Sequence, residues 1–199
     1  LLIGGCAVAL LKGAPAAERD AAPVVAPVPS ARQRARWVLL AFVPSSLLLG
    51  VTTYLSSEVA AVPLLWVIPL ALYLLTFVIV FARRERVPRT WLGRALPIGV
   101  APLVAALNRQ VNAPIGWLMG LHLAVFFVAA WLCHARLAAE RPAAARLTEF
   151  YLWLSVGGVA GGAFNALVAP VVFHSLVEYP LALVLACAVG LGEGAPVGV

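Results

Sequence analysis

The chain has 199 residues, of which 63% are hydrophobic and only 11% are charged, and its mean hydropathy is +1.01. Soluble domains contain roughly 45–50% apolar and 25% charged residues, and disordered chains contain fewer apolar residues still, so this composition excludes both classes. The net charge of +6 comes from 14 basic and 8 acidic residues, and three scattered cysteines are too few for a disulfide framework. The composition is typical of an integral membrane protein.

A membrane-spanning helix requires about 20 mostly apolar residues, because it crosses roughly 30 Å of hydrocarbon at about 1.5 Å per residue. The first apolar stretch, 1–11, is short for a full crossing, and we interpret it as the end of a preceding transmembrane helix. Residues 12–36 are rich in Pro, Ala and Arg and are predicted to form a flexible cytoplasmic linker. The chain starts inside an apolar run without methionine, so we expect it to be a fragment of a longer membrane protein.

A bundle of about six transmembrane helices is predicted over 37–192, followed by a tail over 193–199. Arg94, Pro97 and Pro102 interrupt the third helix, and the sixth is short. The expected fold class is all-α, a polytopic transmembrane helix bundle. The predicted helices are 37–55, 62–82, 91–107, 115–133, 148–173 and 181–192.

The basic residues are distributed unevenly among the loops. Loops 12–36, 83–94 and 134–147 contain 13 of the 14, and the loops between them contain one, Arg109. Short cytoplasmic loops of membrane proteins are enriched in Lys and Arg. The bias therefore predicts that these three Arg-rich loops are cytoplasmic.

Two of the predicted helices combine a proline with hydroxyl or aromatic side chains. Pro44 precedes Ser45 in the first helix, and Thr52 lies near the outer end of the same helix. Pro69 is predicted to lie in the middle of the second helix, one turn before Tyr73. Helices interrupted in this way line substrate cavities in transporters. They can equally be kinked, packed helices whose hydroxyl groups bond to backbone carbonyls, and both interpretations stay open.

Ionisable residues near or within the predicted helices are candidates for a site. Glu58 follows two serines in a very short outer turn, where it either complements a helix start or attracts a cation. His122 is the one ionisable residue deep within a predicted helix, which favours a neutral imidazole that is paired or faces a wet cavity. It either exchanges protons near neutral pH or forms a hydrogen bond across a helix interface. His134 and His174 are predicted to lie at opposite interfaces as anchors.

The fifth predicted helix contains small residues at a spacing of four, which lets another helix backbone approach closely. Thr148 is its predicted N-cap. The asparagine on this helix is expected to form an interhelical hydrogen bond. A phosphate-binding role is excluded, because the glycines lie inside a helix rather than after a strand. The residues assigned to helix packing are Gly157, Gly158, Gly161, Gly162 and Asn165.

The sequence contains no pattern that predicts catalysis. It lacks a Ser/His/Asp arrangement, a carboxylate pair on one helix face, a nucleotide loop and any metal-ligand spacing, so we predict no catalytic residue, metal or cofactor. The arginines lie in loops without interleaved aromatic residues, which argues against nucleic-acid binding. The expected partner is the lipid bilayer.

Three long blocks of this sequence resemble blocks of a known protein family, in the same order. Residues 40–77 read LAFVPSSLLLGVTTYLSSEVAAVPLLWVIPLALYLLTF, 121–134 read LHLAVFFVAAWLCH and 147–170 read LTEFYLWLSVGGVAGGAFNALVAP. These blocks resemble bacterial membrane proteins called fused MFS/spermidine synthases. The resemblance covers most of 37–187.

This resemblance implies a transporter-like region in a bacterial inner membrane, joined to a cytosolic aminopropyltransferase-like domain that uses decarboxylated S-adenosylmethionine. No segment of this sequence matches such a domain, so we do not expect this region to be an enzyme. We expect it to bind or move a small cationic solute. The expected cavity is lined by Ser45, Thr52, Tyr73 and His122, with Glu58 at its outer mouth. The alternative is a membrane anchor for the synthase-like domain, without transport.

Overall fold

The computed structural model describes residues 27–59, 64–82, 89–109, 114–173 and 178–191. Every regular element in these ranges is a helix, which confirms the predicted all-α class for them. Three helices are long and apolar enough to cross a membrane: Ala31–Ser57, Ile115–Ala139 and Ala144–Val172. The predicted segment 1–11, most of the linker 12–36, the tail 193–199 and His174 lie outside the described residues.

The first helix, α1, covers Ala31–Tyr54 and continues as a π-helical segment over Leu55–Val59. Its start is capped by Ser30, whose hydroxyl oxygen accepts a hydrogen bond from the Gln33 backbone N–H at 3.2 Å. The helix therefore begins six residues before the predicted position, and the prediction that the linker extends to residue 36 is wrong. Hydropathy detects only the apolar part of a helix, whereas this first turn is rich in arginine.

The second helix, α2, covers Val67–Ala82 and follows a turn in which Leu64 has a positive φ of 66°. Pro69 therefore lies in the first turn of the helix, and the sequence-based prediction that it lies in the middle is wrong. A proline costs little there, because the first backbone N–H groups of a helix have no intrahelical acceptor. The third helix, α3, covers Arg89–Arg109 and contains both Pro97 and Pro102.

The fourth helix, α4, covers Ile115–Ala139 and extends six residues beyond its predicted end. A single 3₁₀ turn, Ala144–Arg146, leads into α5. Because this turn starts the helical path early, Arg146 rather than Thr148 occupies the N-cap position, without a side-chain capping bond. The remaining elements are α5 over Leu147–Ala163, a π-helical segment over Phe164–Val168, α6 over Ala169–Val172 and α7 over Glu178–Leu191.

The helices pack around two central ones, α1 and α4. Helix α1 contacts α2, α4, α5 and α7, and its contact with α5 is the most extensive, while α4 also contacts α2, α3 and α7. The main apolar core includes Leu47, Leu103, Phe126 and Leu183, one from each of α1, α3, α4 and α7. A smaller cluster at the start of α1 contains Trp37, whose ring meets that of Phe150 edge to face at 5.1 Å.

The outward faces of the helices are apolar. Trp91, Ile98, Val159 and Val171 are between 72% and 79% exposed. An outer surface of this kind is compatible with contact to lipid chains, where exposed hydrophobic side chains carry no penalty. Several polar side chains are instead buried between the helices: Ser46, Thr76, His122, His134 and Arg136.

Candidate functional site

The first histidine cluster joins three helices and consists of Tyr54 of α1, His122 of α4 and Tyr179 of α7. His122 is completely buried, and its Nδ1 lies 2.9 Å from the hydroxyl oxygen of Tyr179. The Tyr54 ring stacks on the imidazole, with ring centroids 4.3 Å apart and an interplanar angle of 27°. The histidine that the sequence singled out is therefore held by two tyrosines that the sequence did not single out.

Glycine on α1 allows Tyr179 to approach the helix closely. A Cβ atom placed on Gly50 would lie 3.2 Å from the Tyr179 ring and 3.4 Å from its Cβ, so a larger residue there would push Tyr179 outward. Tyr179 is the second residue of α7 and is itself only 1% exposed. The first histidine cluster thus lies where the end of α1 meets the starts of α4 and α7.

The second ring nitrogen of His122 has no hydrogen-bond partner within the described part of the chain. This atom, Nε2, is buried. A neutral imidazole has one donor and one acceptor nitrogen, and Nδ1 already bonds to Tyr179. If Nδ1 donates its proton to the tyrosine oxygen, Nε2 is an unused acceptor. A buried polar atom of this kind costs about 1–3 kcal/mol unless another group satisfies it.

The second histidine cluster consists of His134 of α4 with Tyr73 and Thr76 of α2. The Thr76 hydroxyl lies 2.9 Å from His134 Nδ1 and donates to the Tyr73 carbonyl at 2.8 Å. A hydroxyl has only one proton to donate, so in this arrangement His134 Nδ1 carries its own proton and donates it to Thr76. The Tyr73 ring packs edge to face on the imidazole at 5.0 Å. His134 is only 1% exposed, so its side chain is buried between the helices.

The residues predicted to line one cavity fall into separate places. Ser45 is a hydrogen-bonding neighbour of Tyr73, so those two side chains do meet. Thr52 is partly buried and donates to the Leu48 carbonyl of its own helix at 2.6 Å. His122 lies about 18 Å along α4 from His134, so it belongs to a different level of the fold. The backbone of Glu58 lies in the π-helical segment Leu55–Val59, and its side chain lies outside the described residues.

Two cavities formed by described residues lie elsewhere. One, of about 590 Å³, lies along residues 31–42 of α1, beside Trp153 of α5. The other, of about 130 Å³, lies between α3 and α4, around Gly99 and Val125. The residues predicted to line a cavity line neither of these two.

The glycines of α5 lie directly against the backbone of α1. A Cβ atom on Gly157 would lie 2.3 Å from the Val38 carbonyl oxygen, and one on Gly161 would lie 2.5 Å from that of Phe42. On the neighbouring face, a Cβ atom on Gly158 or Gly162 would meet only ordinary contacts, at 3.8 and 3.9 Å.

Asn165 adds a polar link between the same two helices. Its side-chain nitrogen donates to the Ser46 hydroxyl of α1 at 2.6 Å and to the Gly161 carbonyl at 3.1 Å. The asparagine lies in the π-helical segment Phe164–Val168, and Ser46 is buried.

Charged side chains meet at one end of the helices. Glu149 pairs with Arg34 at 2.6 Å and lies 3.6 Å from Arg146, and Glu140 pairs with Arg36 at 2.5 Å. These contacts join the start of α1 to the end of α4 and the start of α5.

A buried arginine at the same end was missed by the sequence analysis. Arg136 of α4, only 4% exposed, donates to the Val189 carbonyl near the end of α7. A cation there is favourable, because the last carbonyls of a helix are unsatisfied and carry partial negative charge. The sequence assigned Arg136 to a loop, and the signal that it belongs to the helix is the continuing apolar run through Leu137.

The described residues contain no group of three or more His, Cys, Asp or Glu side chains that could hold a metal ion. No protein-family model, no curated protein and no solved structure matches this chain.

Proposed function

We propose that this chain is a polytopic region of a bacterial inner membrane protein, with all its long helices crossing the bilayer and the arginine-rich end in the cytoplasm. The ion pairs of Arg34 and Arg36 and the buried Arg136 all lie at one end of the described helices, as the positive-inside rule requires. The apolar outer faces of the helices give this arrangement further support. The apolar parts of helices α2, α3 and α7 are shorter than a usual crossing: they cover Val67–Ala82, Trp91–Val104 and Glu178–Val189.

Within that region we propose a transporter-like role, in which the first histidine cluster binds a small cationic solute. The observation that carries this proposal is that Nε2 of His122 is buried and has no hydrogen-bond partner among the residues that the structure describes. An ammonium group would donate a hydrogen bond to this nitrogen. The stacked Tyr54 ring adds favourable electrostatics for positive charge on or beside the imidazole. Intramembrane ionisable residues commonly mark solute or proton pathways.

The chemical class of the solute follows from the sequence resemblance to fused MFS/spermidine synthases. A polyamine would be the natural solute of a membrane region that serves an aminopropyltransferase-like domain. His122 is the eighth residue of α4, so it lies roughly 10 Å from the start of that helix, at the end opposite the arginines. Entry of the solute from the outer side of the membrane fits this position.

The second candidate function is that of an anchor that holds a synthase-like domain at the cytoplasmic face and transports nothing. It is favoured by the contacts of the predicted cavity residues. Ser45 meets Tyr73, and Thr52 bonds to its own backbone, so neither lies free to bind a solute. The close contact of Gly157 and Gly161 with α1 also describes a firmly packed unit.

Uptake of labelled spermidine into right-side-out membrane vesicles tests the two functions. His122→Asn retains an amide near the position of Nδ1 but removes Nε2, whereas His122→Gln places an amide near Nε2. We expect His122→Asn to lower uptake at least about tenfold, because a hydrogen bond to a charged group contributes more than that factor. His122→Gln should retain more uptake than His122→Asn. His134→Asn, the same substitution in the second histidine cluster, is the matched control and should transport normally.

Two results of the same experiment would favour the anchor function. If wild-type vesicles take up no more spermidine than vesicles without the protein, or if His122→Asn transports as wild type does, the solute-binding role is wrong. Glu58→Gln tests the outer mouth separately, and unchanged affinity for spermidine in that variant would remove Glu58 from the site.

A further inference from the structure

An apolar groove of about 590 Å³ lies along residues 31–42 of α1, beside Trp153 of α5. Its floor is the face of α1 that carries Ala31, Ala35, Val38 and Phe42, and Trp153 of α5 forms one wall. The two alanines leave the groove open, because their side chains are too short to fill it. From Ala31 to Phe42 the helix rises about 16 Å, roughly half of the 30 Å hydrocarbon thickness of a bilayer. The groove therefore has the length of one acyl chain in one leaflet.

A guanidinium group lies at the polar end of this groove. Arg34 lines it, and its Nη2 atom pairs with Glu149 at 2.6 Å. Its Nε atom is buried and has no hydrogen-bond partner in the described ranges. Glu149 is also 3.6 Å from Arg146, so two cations face this one carboxylate. The rest of the Arg34 side chain is partly exposed, at 34%, beside a carboxylate that is already neutralised.

The surrounding charge is positive. Five exposed or half-exposed arginines lie at this end of the described helices, against two carboxylates, Glu140 and Glu149. Basic clusters between helices at the cytoplasmic side attract anionic lipid headgroups. Trp153 adds an indole of the type that is enriched at the headgroup level. The arginines are Arg32, Arg34, Arg36, Arg141 and Arg146.

We propose that this groove binds one anionic phospholipid of the cytoplasmic leaflet. Its phosphate would pair with the exposed part of the Arg34 guanidinium group, since the Arg34 side chain is 34% exposed, and one acyl chain would lie along Ala35, Val38 and Phe42. This inference rests on the membrane placement in the proposed function and is independent of solute transport. A second copy of the chain or another helix would also cover the apolar floor. A second copy, with its net charge of +6, would not compensate the positive charge at this end, whereas the phosphate of a lipid does.

Native mass spectrometry of the whole detergent-purified protein tests the proposal. The protein is incubated with phosphatidylglycerol or with phosphatidylcholine of the same chains, and the bound fraction is measured. Arg34→Gln removes the phosphate donor, and its control, Arg141→Gln, makes the same charge change at an exposed position of the same end. Ala35→Phe fills the groove but leaves Arg34 paired, and its control, Ala160→Phe, adds the same bulk at an exposed alanine of α5.

We expect one phosphatidylglycerol molecule to stay bound to the wild type. Arg34→Gln and Ala35→Phe should each weaken its binding at least about tenfold, while both controls bind as the wild type does. Equal retention of phosphatidylcholine, or unchanged binding by Ala35→Phe, would overturn the proposal. A wild-type dimer that Ala35→Phe dissociates would also overturn it, in favour of a second copy in the groove. Because His122 is intact in all these variants, failure here is distinguishable from failure of the spermidine experiment.

Discussion

The contact between α5 and α1 predicts that alanine substitutions at neighbouring glycines of α5 have different effects on stability. Replacing Gly161 by alanine would place a Cβ atom 2.5 Å from the Phe42 carbonyl oxygen, 3.0 Å from Ser45 Cβ and 3.1 Å from the Ser46 backbone nitrogen. Two of these three atoms belong to the backbone, which no side-chain rotation can move. The helices must therefore separate by about 1 Å before ordinary van der Waals contact is restored.

The expected free-energy cost follows from two opposing effects. Overpacking a well-packed interface costs about 1–3 kcal/mol, and an obstacle made of backbone favours the upper end of that range. Alanine recovers up to about 1 kcal/mol, because glycine is the poorer helix former. We therefore expect Gly161→Ala to lower the free energy of unfolding by about 2 kcal/mol. Gly157→Ala should cost at least as much, since its Cβ atom would lie 2.3 Å from a carbonyl oxygen.

Gly158 and Gly162 supply the matched controls on the same helix. A Cβ atom at either position meets only one atom within 4 Å, at 3.8 or 3.9 Å, so alanine there should be neutral or stabilise by up to about 1 kcal/mol. The assay is unfolding of the purified protein in mixed micelles of increasing SDS fraction, followed by circular dichroism. If Gly157→Ala and Gly161→Ala unfold at the same SDS fraction as the two control variants, the close approach of α5 to α1 is wrong.

Three further predictions use the same unfolding assay. Asn165→Leu should lower the free energy of unfolding by about 0.5–2 kcal/mol, because the hydrogen bond to Ser46 is lost. Adding Ser46→Ala to this variant should lower it little further, and fully additive losses would contradict the contact. Tyr179→Phe should lower the free energy of unfolding by about 1–3 kcal/mol, because neither ring nitrogen of the buried His122 would then have a hydrogen-bond partner in the described part of the chain. An unchanged stability would show that the Tyr179 hydroxyl does not hold the imidazole. Glu149→Gln should cost less than about 1 kcal/mol, with the loss shrinking as salt rises, because its ion pairs are partly exposed; a loss that is independent of salt would contradict this.

The helices were predictable from the sequence, whereas their ends were less so. Apolar runs of near-membrane length mark α1, α4 and α5, but hydropathy does not register an arginine-rich first turn that Ser30 caps. Nor does it register the last turns of α4, where Arg136 is buried and donates a hydrogen bond to a carbonyl of α7. The Ser30 cap is a local signal that hydropathy ignores, whereas the Val189 carbonyl that bonds to Arg136 is 53 residues away in the sequence.

The candidate site was predictable only in part, for a related reason. His122 stands out because an ionisable residue inside an apolar run is costly. Its partners, Tyr54 and Tyr179, come from helices that are remote in the chain, and the pairing of helices is not encoded in any local pattern. Likewise the spacing of Gly157 and Gly161 predicts a close helix contact but does not identify α1 as the partner.

The contacts at the two ends of α4 and α7 have a mechanical consequence. His122 bonds to Tyr179 near one end, and Arg136 bonds to Val189 near the other, about 20 Å away along α4. Two helices that are hydrogen-bonded at two separated points resist both sliding and pivoting against each other. We therefore expect α4 and α7 to move together as one rigid unit. Spin labels on α4 and α7 should keep a constant distance when spermidine is added. A change of several ångströms would show that the two helices do not move together.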